Sequence, residues 1–263
     1  MQVAGTSEAG NGQLAVLVLD DLSLSFGAIA AVSGVNLAFE RGGRYGILGA
    51  NGAGKTSLFN LICGEMPPSR GRLRLDGEDV TGLGVHERIR RGLRRTFQSS
   101  RVLRNLSVLE NLVLAAQGVR RGRLSLRGWA LDQGTNREAE RLLQMSMLAP
   151  QRDRPAGELS HGQQRQLEIS MGLAGNPKVI LFDEPAAGLS PHERERLTSL
   201  LGNLPDDVCM LLIEHDLDIA LRVARHITVM HHGQVFRQGE PTAIAADADV
   251  QAIYMGGTSY GSH

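Results

Sequence analysis

The chain reads as an α/β protein in which a mainly parallel sheet is covered by helices, with a small antiparallel layer in front and a helical insert in the middle. Three observations lead there. After about residue 44, short β-like runs alternate with helical runs. Ahead of that point and just after the first helix, strand-like stretches end in tight-turn residues. From roughly Ser100 to Leu159 the pattern is helical with no clear strand.

In chain order, Leu14 to Leu24 and Val35 to Glu40 carry strand patterning, and Arg72 to Leu75 alternates ahead of the Asp76-Gly77 turn, which suggests an antiparallel layer. Tyr45 to Leu48 is an apolar strand that runs into a Gly-rich turn, and Ser57 to Cys63 follows as a helix closed by Gly64. Within the helical insert, Ser107 and Glu110 have the spacing of a capping box. The alternation then resumes. Val179 to Phe182 reads as a buried strand, Ser190-Pro191-His192-Glu193 opens a helix, Val208 to Ile213 is a strand, a helix follows Asp216, and a hairpin turns at Gly233.

Composition narrows the function classes. With 263 residues, 42% of them apolar, the chain can bury a substantial core, which excludes a disordered tail protein. Its 28 basic and 28 acidic residues balance, so no global field favours a polyanion. The longest apolar runs are strand-sized, and the polar first 13 residues lack the character of a signal peptide. Cys63 and Cys209 stand in apolar context, with neither a disulfide framework nor a metal spacing, which fits a reducing cytoplasm. Only Lys55 and Lys178 are lysines, so 26 of the 28 basic residues are arginine.

Three segments carry chemistry. Gly49-Ala50-Asn51-Gly52-Ala53-Gly54-Lys55-Thr56 fits the phosphate-binding loop, whose glycines let backbone N–H groups curl around phosphate oxygens at a helix N-terminus. Lys55 is then expected on the β- and γ-phosphates and the Thr56 hydroxyl on Mg²⁺. A lysine is also what an arginine-biased chain would keep where a planar guanidinium does not fit. Second, Val179 to Glu184 is four apolar residues followed by two carboxylates, which puts Asp183 and Glu184 at the C-terminal end of a buried strand, where open α/β sheets bind ligands. Asp183 suits a Mg²⁺ sphere and Glu184 suits polarising a water; the same run is also an ordinary strand exit, and the upstream loop favours chemistry. Third, in Leu159-Ser160-His161-Gly162-Gln163-Gln164-Arg165 a serine and a glycine open a helix as a second anion site.

With these residues in place, the chain resembles the ATP-binding-cassette (ABC) ATPases over about residues 14 to 256, with LSHGQ standing where the family usually has LSGGQ. The resemblance implies a P-loop fold with a RecA-like parallel core, an antiparallel β subdomain and a helical subdomain at about 100–160, between flexible ends at 1–13 and 257–263. It implies ATP and Mg²⁺, with Gly49, Asn51, Gly52, Ala53, Gly54, Lys55, Thr56 and Ser57 around the phosphates. Arg95-Thr96-Phe97-Gln98 resembles the Q-loop, so Gln98 is expected near metal and attacking water. Leu212 to Asp216 resembles the switch region, with His215 at the γ-phosphate, and Phe26 matches the aromatic that stacks on adenine; its other reading is a core aromatic. Ser160, His161, Gly162 and Gln163 are expected to meet the nucleotide held by a second ATPase subunit, either another copy of this chain or a related one. Two positions depart from the pattern: His161 replaces a glycine, and Ser190 stands where an aspartate commonly ends the D-loop.

The segments LSHGQQRQLEI and EPAAGLS and the tail from Val250 to Gly256 look like the importer branch that carries branched-chain amino acids or urea. That resemblance implies permease subunits, a second ATPase subunit packed head to tail, an external solute-binding protein acting indirectly, and a peripheral location on the cytoplasmic face of the inner membrane. Ser99 to Leu114 is the expected permease interface. Arg88, Arg90, Arg91, Arg94, Arg95, Arg101 and Arg104 could form a nucleic-acid patch, but Phe97 is the only aromatic among them, so no nucleic-acid partner is expected. An ABC-type ATPase of DNA repair is the competing class; no long heptad coiled coil or cysteine cluster supports it.

Overall fold

The computed structural model describes residues 15–96, 102–119, 133–215 and 217–256. Strands β1 (Ala15–Phe26) and β2 (Ile29–Glu40) form a long hairpin whose register pairs Phe26 with Ile29 across a two-residue turn. Both strands run further than their apolar alternation suggests. In β1, beyond Val16 at its start, the buried residues are Leu17 and Leu19, then Leu22 and Leu24, so the inward parity changes midway. A bulge accommodates the change: the register shifts between Leu19 and Leu22, and Asp21 adopts φ 49°.

Strand β3 (Arg44–Leu48) leads through the Gly-rich loop into α1 (Lys55–Cys63), which Gly64 ends at φ 79°. Strands β4 (Arg70–Leu75) and β5 (Glu78–Asp79) turn at Asp76 and Gly77, both at positive φ, and complete an antiparallel sheet ordered β2-β1-β4-β5. After α2 (Val85–Arg90), β6 (Leu93–Thr96) joins the edge of the main sheet. Its sequence, Leu-Arg-Arg-Thr, has no apolar run to announce it; parallel pairing with its neighbour and the ion pair of Arg95 with Asp183 make it a strand.

The insert supplies α3 (Val108–Val119) and α4 (Gln133–Met145), which pack on α5 (His161–Gly172). The Ser107 cap is present: its Oγ accepts from the Glu110 N–H at 3.2 Å, and the Glu110 carboxylate accepts from the Ser107 N–H at 2.7 Å. Strand β7 (Val179–Asp183), α6 (Pro191–Gly202), β8 (Cys209–Ile213), α7 (Leu217–Val223), β9 (His226–His231) and β10 (Gln234–Gly239) follow, and α8 (Pro241–Ala246) and α9 (Ala248–Gly256) close the chain. The main sheet is ordered β10-β9-β3-β8-β7-β6, parallel except for β10.

Two large cores flank this sheet. On one side Leu58, Phe59, Leu61 and Ile62 of α1 meet Leu17, Leu19 and Phe39 of the antiparallel sheet; on the other, Leu167 and Ile169 of α5 and Leu197, Leu200 and Leu201 of α6 cover Ile180, Phe182, Met210 and Leu212. At ~1.5–3 kcal/mol for each fully buried large side chain, these two layers hold the central strands in place. Because β3, β7 and β8 are adjacent and parallel, the loops at their C-terminal ends emerge at one rim.

A candidate nucleotide site at the rim of the parallel sheet

The Gly-rich loop leaves β3 with Gly49 at φ 152°, Gly52 at φ 78° and Gly54 at φ 97°. A side chain at Gly54 would place its Cβ 2.4 Å from the Ala31 carbonyl oxygen, so only glycine lets the loop lie against β2 there. The hairpin turn between β9 and β10 clasps the same loop: the Gly233 N–H donates to the Ala53 carbonyl at 3.0 Å, and its carbonyl accepts from the Ser33 N–H at 2.8 Å. Helix α1 starts with no side-chain cap and no acidic residue in its first turn. Its leading N–H groups therefore remain available for an anion.

Lys55 is buried, and its ammonium donates to the carbonyls of Gly49 at 2.6 Å and Ala50 at 3.1 Å. Burial draws its pKa below the usual lysine range, against the opposing pull of Glu184 and Asp183. Thr56 and Asn51 are exposed, Ala53 is buried, and Ser57 is half-buried. Asp183 ends β7 in a buried setting, its Oδ2 taken by the Arg95 guanidinium at 2.6 Å. Its Oδ1 is buried with no hydrogen-bond partner, an orphan of the kind a divalent cation satisfies. Among the described residues no group of three His, Cys, Asp or Glu could hold a metal by itself, so phosphate oxygens would have to complete the sphere.

Glu184 adopts φ 47°, a conformation rarely taken by a non-glycine residue, with its N–H donating to Ile213 O at 3.0 Å. That turn brings its carboxylate to 3.6 Å from Nδ1 of His215, which follows β8 and is exposed. Glu214 was missed by the sequence reading. It is buried, and its carboxylate accepts from the Ala186 N–H at 3.1 Å, pinning the segment after Glu184. Arg165 of α5, also missed, reaches Pro185 O at 3.1 Å, Asp183 O at 3.3 Å and Glu168 at 2.6 Å. A polar residue just after a buried strand, or inside a helix, is a weak local signal, and neither position advertises its distant partner.

Phe26 is not a core aromatic. It stands 51% exposed at the hairpin tip, across the turn from Ile29, on the hairpin whose Ala31 touches Gly54. Gln98, Phe97, Ser99 to Arg101 and Asp216 lie outside the described residues, as do Leu14 and both ends at 1–13 and 257–263. Ser160 caps α5 by accepting from the Gln163 N–H, His161 is exposed beside Gly188, and Gly162 is buried. No described hydrogen bond or ion pair joins this segment to the Gly49–Ser57 loop.

Three members of the arginine cluster turn inward, whereas Arg90 and Arg104 are exposed and Arg91 pairs with Glu78 at the surface. Arg88 is 1% exposed and donates to the carbonyls of Leu61, Ile62, Thr81 and Leu83, closing the end of α1. Arg94 donates to Ile89 O, and Arg95 pairs with Asp183, Asn60 and Glu65.

Comparison with known proteins follows this geometry. The family model described as "ABC transporter" matches residues 32–187. The high-affinity branched-chain amino acid transport ATP-binding protein BraF of Pseudomonas aeruginosa is 36% identical over 251 residues, covering 92% of this chain and 98% of that protein. The crystal structure of the ADP conformation of MJ1267, an ATP-binding cassette of an ABC transporter, superposes with a TM-score of 0.81 at 32% identity, covering 92% of this chain and 99% of that one. A dimeric post-hydrolysis structure of the cassette MJ0796, bound to ADP and Pi, gives a TM-score of 0.70 at 26% identity over 86% of this chain and 98% of that one. A phosphate loop, two carboxylates and a histidine gathered at one sheet rim, within a chain matched along nearly its whole length, make this an ATP-binding protein of the ABC transporter family, an ATPase whose hydrolysis is coupled to transport.

Proposed function

We propose that this chain energises an importer of branched-chain amino acids or a related small polar solute such as urea, working at the cytoplasmic face of the inner membrane with separate permease subunits. The observation that carries this reading is the division of the site. Lys55, Asp183, Glu184 and His215 share the rim of the parallel sheet, whereas Ser160 and Gly162 open α5 with no link to the phosphate loop. A second ATPase subunit, placed head to tail, would bring its own Ser160 segment to the γ-phosphate. The relation to BraF, a branched-chain amino acid transport protein, and the dimeric state of MJ0796 support the solute class and the pairing.

In this mechanism Phe26 stacks on adenine, and the N–H groups of the loop and of Ser57 surround the phosphates. Mg²⁺ would be held by Thr56 and Asp183, with Gln98 beside them, and supplies charge neutralisation on the phosphoryl oxygens. Glu184 accepts a proton from the attacking water as its oxygen bonds to the γ-phosphorus and the bond to the leaving β-phosphate oxygen breaks. His215 holds the geometry of the transferring group, and Lys55 offsets the charge that accumulates on it. Closure follows from ATP because ATP binds the closed pair better than the open one.

The test is co-purification. The tagged chain is recovered from its native membranes in mild detergent with Mg-ATP, and its companions are identified by mass spectrometry. Hydrophobic permeases together with a second ATPase are the expected result. Recovery of soluble DNA-processing proteins alone would overturn the importer reading.

A further inference from the structure

Glu193, at the third position of α6, lays its carboxylate on the Ser160 segment. Its Oε1 accepts from the Ser160 hydroxyl at 3.0 Å and from the Gly162 N–H at 2.9 Å. Its Oε2 accepts from the N–H and hydroxyl of Ser190, the residue at the departed D-loop position. Gly162 has to be glycine for this contact: a Cβ there would fall 2.6 Å from Glu193 Cγ and 2.7 Å from its carboxylate. Four donors converge on one carboxyl, and they hold its pKa down at about 2. Two of these four, the Ser160 hydroxyl and the Gly162 N–H, belong to the segment that the proposed mechanism brings to the γ-phosphate of the opposing subunit. Each has a single hydrogen to give, so neither can serve carboxylate and phosphate together.

We infer that the Glu193 carboxylate is an internal stand-in for the partner's terminal phosphate, occupying the Ser160–Gly162 anion site in the single chain and leaving it when two chains close on ATP. The inference rests on the shared-site reading above. Closure then costs two charge-assisted hydrogen bonds at each of two sites, together with the repulsion between a carboxylate and an approaching phosphate. Glu193 would therefore set how much ATP affinity is needed before the pair closes, and it ties that threshold to the Ser190 loop and to α6.

The test uses the full chain carrying Glu184→Gln to suppress turnover. Its Mg-ATP-dependent dimerisation is measured by analytical ultracentrifugation with Glu193, with Glu193→Gln and with Glu193→Asp, alongside ATP binding at concentrations where each chain is monomeric. Glutamine keeps the capping box with Ser190 but removes the charge. Aspartate keeps the charge on α6 but is one methylene too short to span both sets of donors. Both should tighten the dimer, Glu193→Gln by at least about tenfold in Kd, with monomer ATP binding unchanged. A side chain that merely supports the fold would move the constant the other way when replaced. Equal or weaker dimerisation of both variants overturns the stand-in while leaving the shared site intact. If the Glu184→Gln chain forms no dimer with ATP, either with itself or with the second ATPase recovered alongside it, the shared-site reading falls and this inference with it.

Discussion

Lys55 apart, the buried cations of this fold are arginines, and what they do there explains the choice. Arg44 donates to the carbonyls of Val208, Leu204, Pro205 and Gly42, Arg88 to four carbonyls around the end of α1, and Arg165 to two carbonyls and a carboxylate. One planar fork satisfies several fixed acceptors, which a compact ammonium does not. Arg95 makes the sharpest case, since its removal would strand the buried Asp183 carboxylate. Arg95→Ala should lose about 3–5 kcal/mol of stability in urea denaturation without nucleotide, and Arg95→Lys should recover only part of it. For Glu184→Gln, ATP binding should persist while turnover drops by about 10²–10⁴-fold; wild-type turnover in the purified variant would remove Glu184 from the chemistry. Glu193 gives a pH signature of definite sign. Its folded pKa of about 2 lies below its ordinary value of 4.5, so the stabilisation is complete above about 4.5 and is lost as pH falls toward about 2. Wild type should exceed Glu193→Gln in urea midpoint at pH 7, and the gap should narrow as the pH drops below about 4.5. Cys63 and Cys209, both buried with pKa pushed up to about 12, should not react with thiol reagents in the native protein.

At the level of elements, strong periodicity and capping were readable in advance, and edge strands were not. The strands β3, β7 and β8, the caps at Ser107 and Ser190, and the stop at Gly64 lie where apolar runs and cap residues put them. β6 and β5 escaped because their residues are polar and only a neighbouring strand makes them β. The loop at 103–107 is likewise organised by a residue that no motif flags. Asn111, fully buried on α3, donates to the carbonyls of Leu103, Leu106 and Ser107 and accepts from the Leu103 N–H. This loop belongs to the expected permease interface. Asn111→Ala should cost about 2–4 kcal/mol through the groups it leaves unpaired, and hydrogen exchange should show the Leu103 amide losing protection. Protection equal to wild type would mean that the loop holds its shape without Asn111.

For the molecule as a whole, one sheet rim collects three strand ends, and no described hydrogen bond or ion pair joins the α5 start to the Gly-rich loop. The two parts of the proposed site are therefore not tied together by polar contacts within one chain. Ser160→Arg should leave ATP binding to the monomer unchanged yet abolish ATP-dependent dimerisation, as read by size-exclusion chromatography with and without Mg-ATP. Unaltered dimerisation of that variant would show that Ser160 does not face the shared nucleotide. Among the described residues no helix is long and apolar enough to cross a membrane.

By itself the sequence determined the local chemistry: the phosphate loop before α1, the acidic pair ending β7, the helix caps and the α/β alternation. Those signals act within a few residues, over one turn of helix or one pleat of strand, and so survive in a linear reading. Only the tertiary structure decided which distant groups meet. It set Phe26 at an exposed hairpin tip, spent Arg88 and Arg95 on carbonyls and carboxylates inside the fold, and laid Glu193 on Ser160 and Gly162. Arg44 and the Val208 carbonyl it holds are 164 residues apart. Partner choice over such separations is made by sheet order and helix packing, because a buried donor takes whichever acceptor the fold brings within reach.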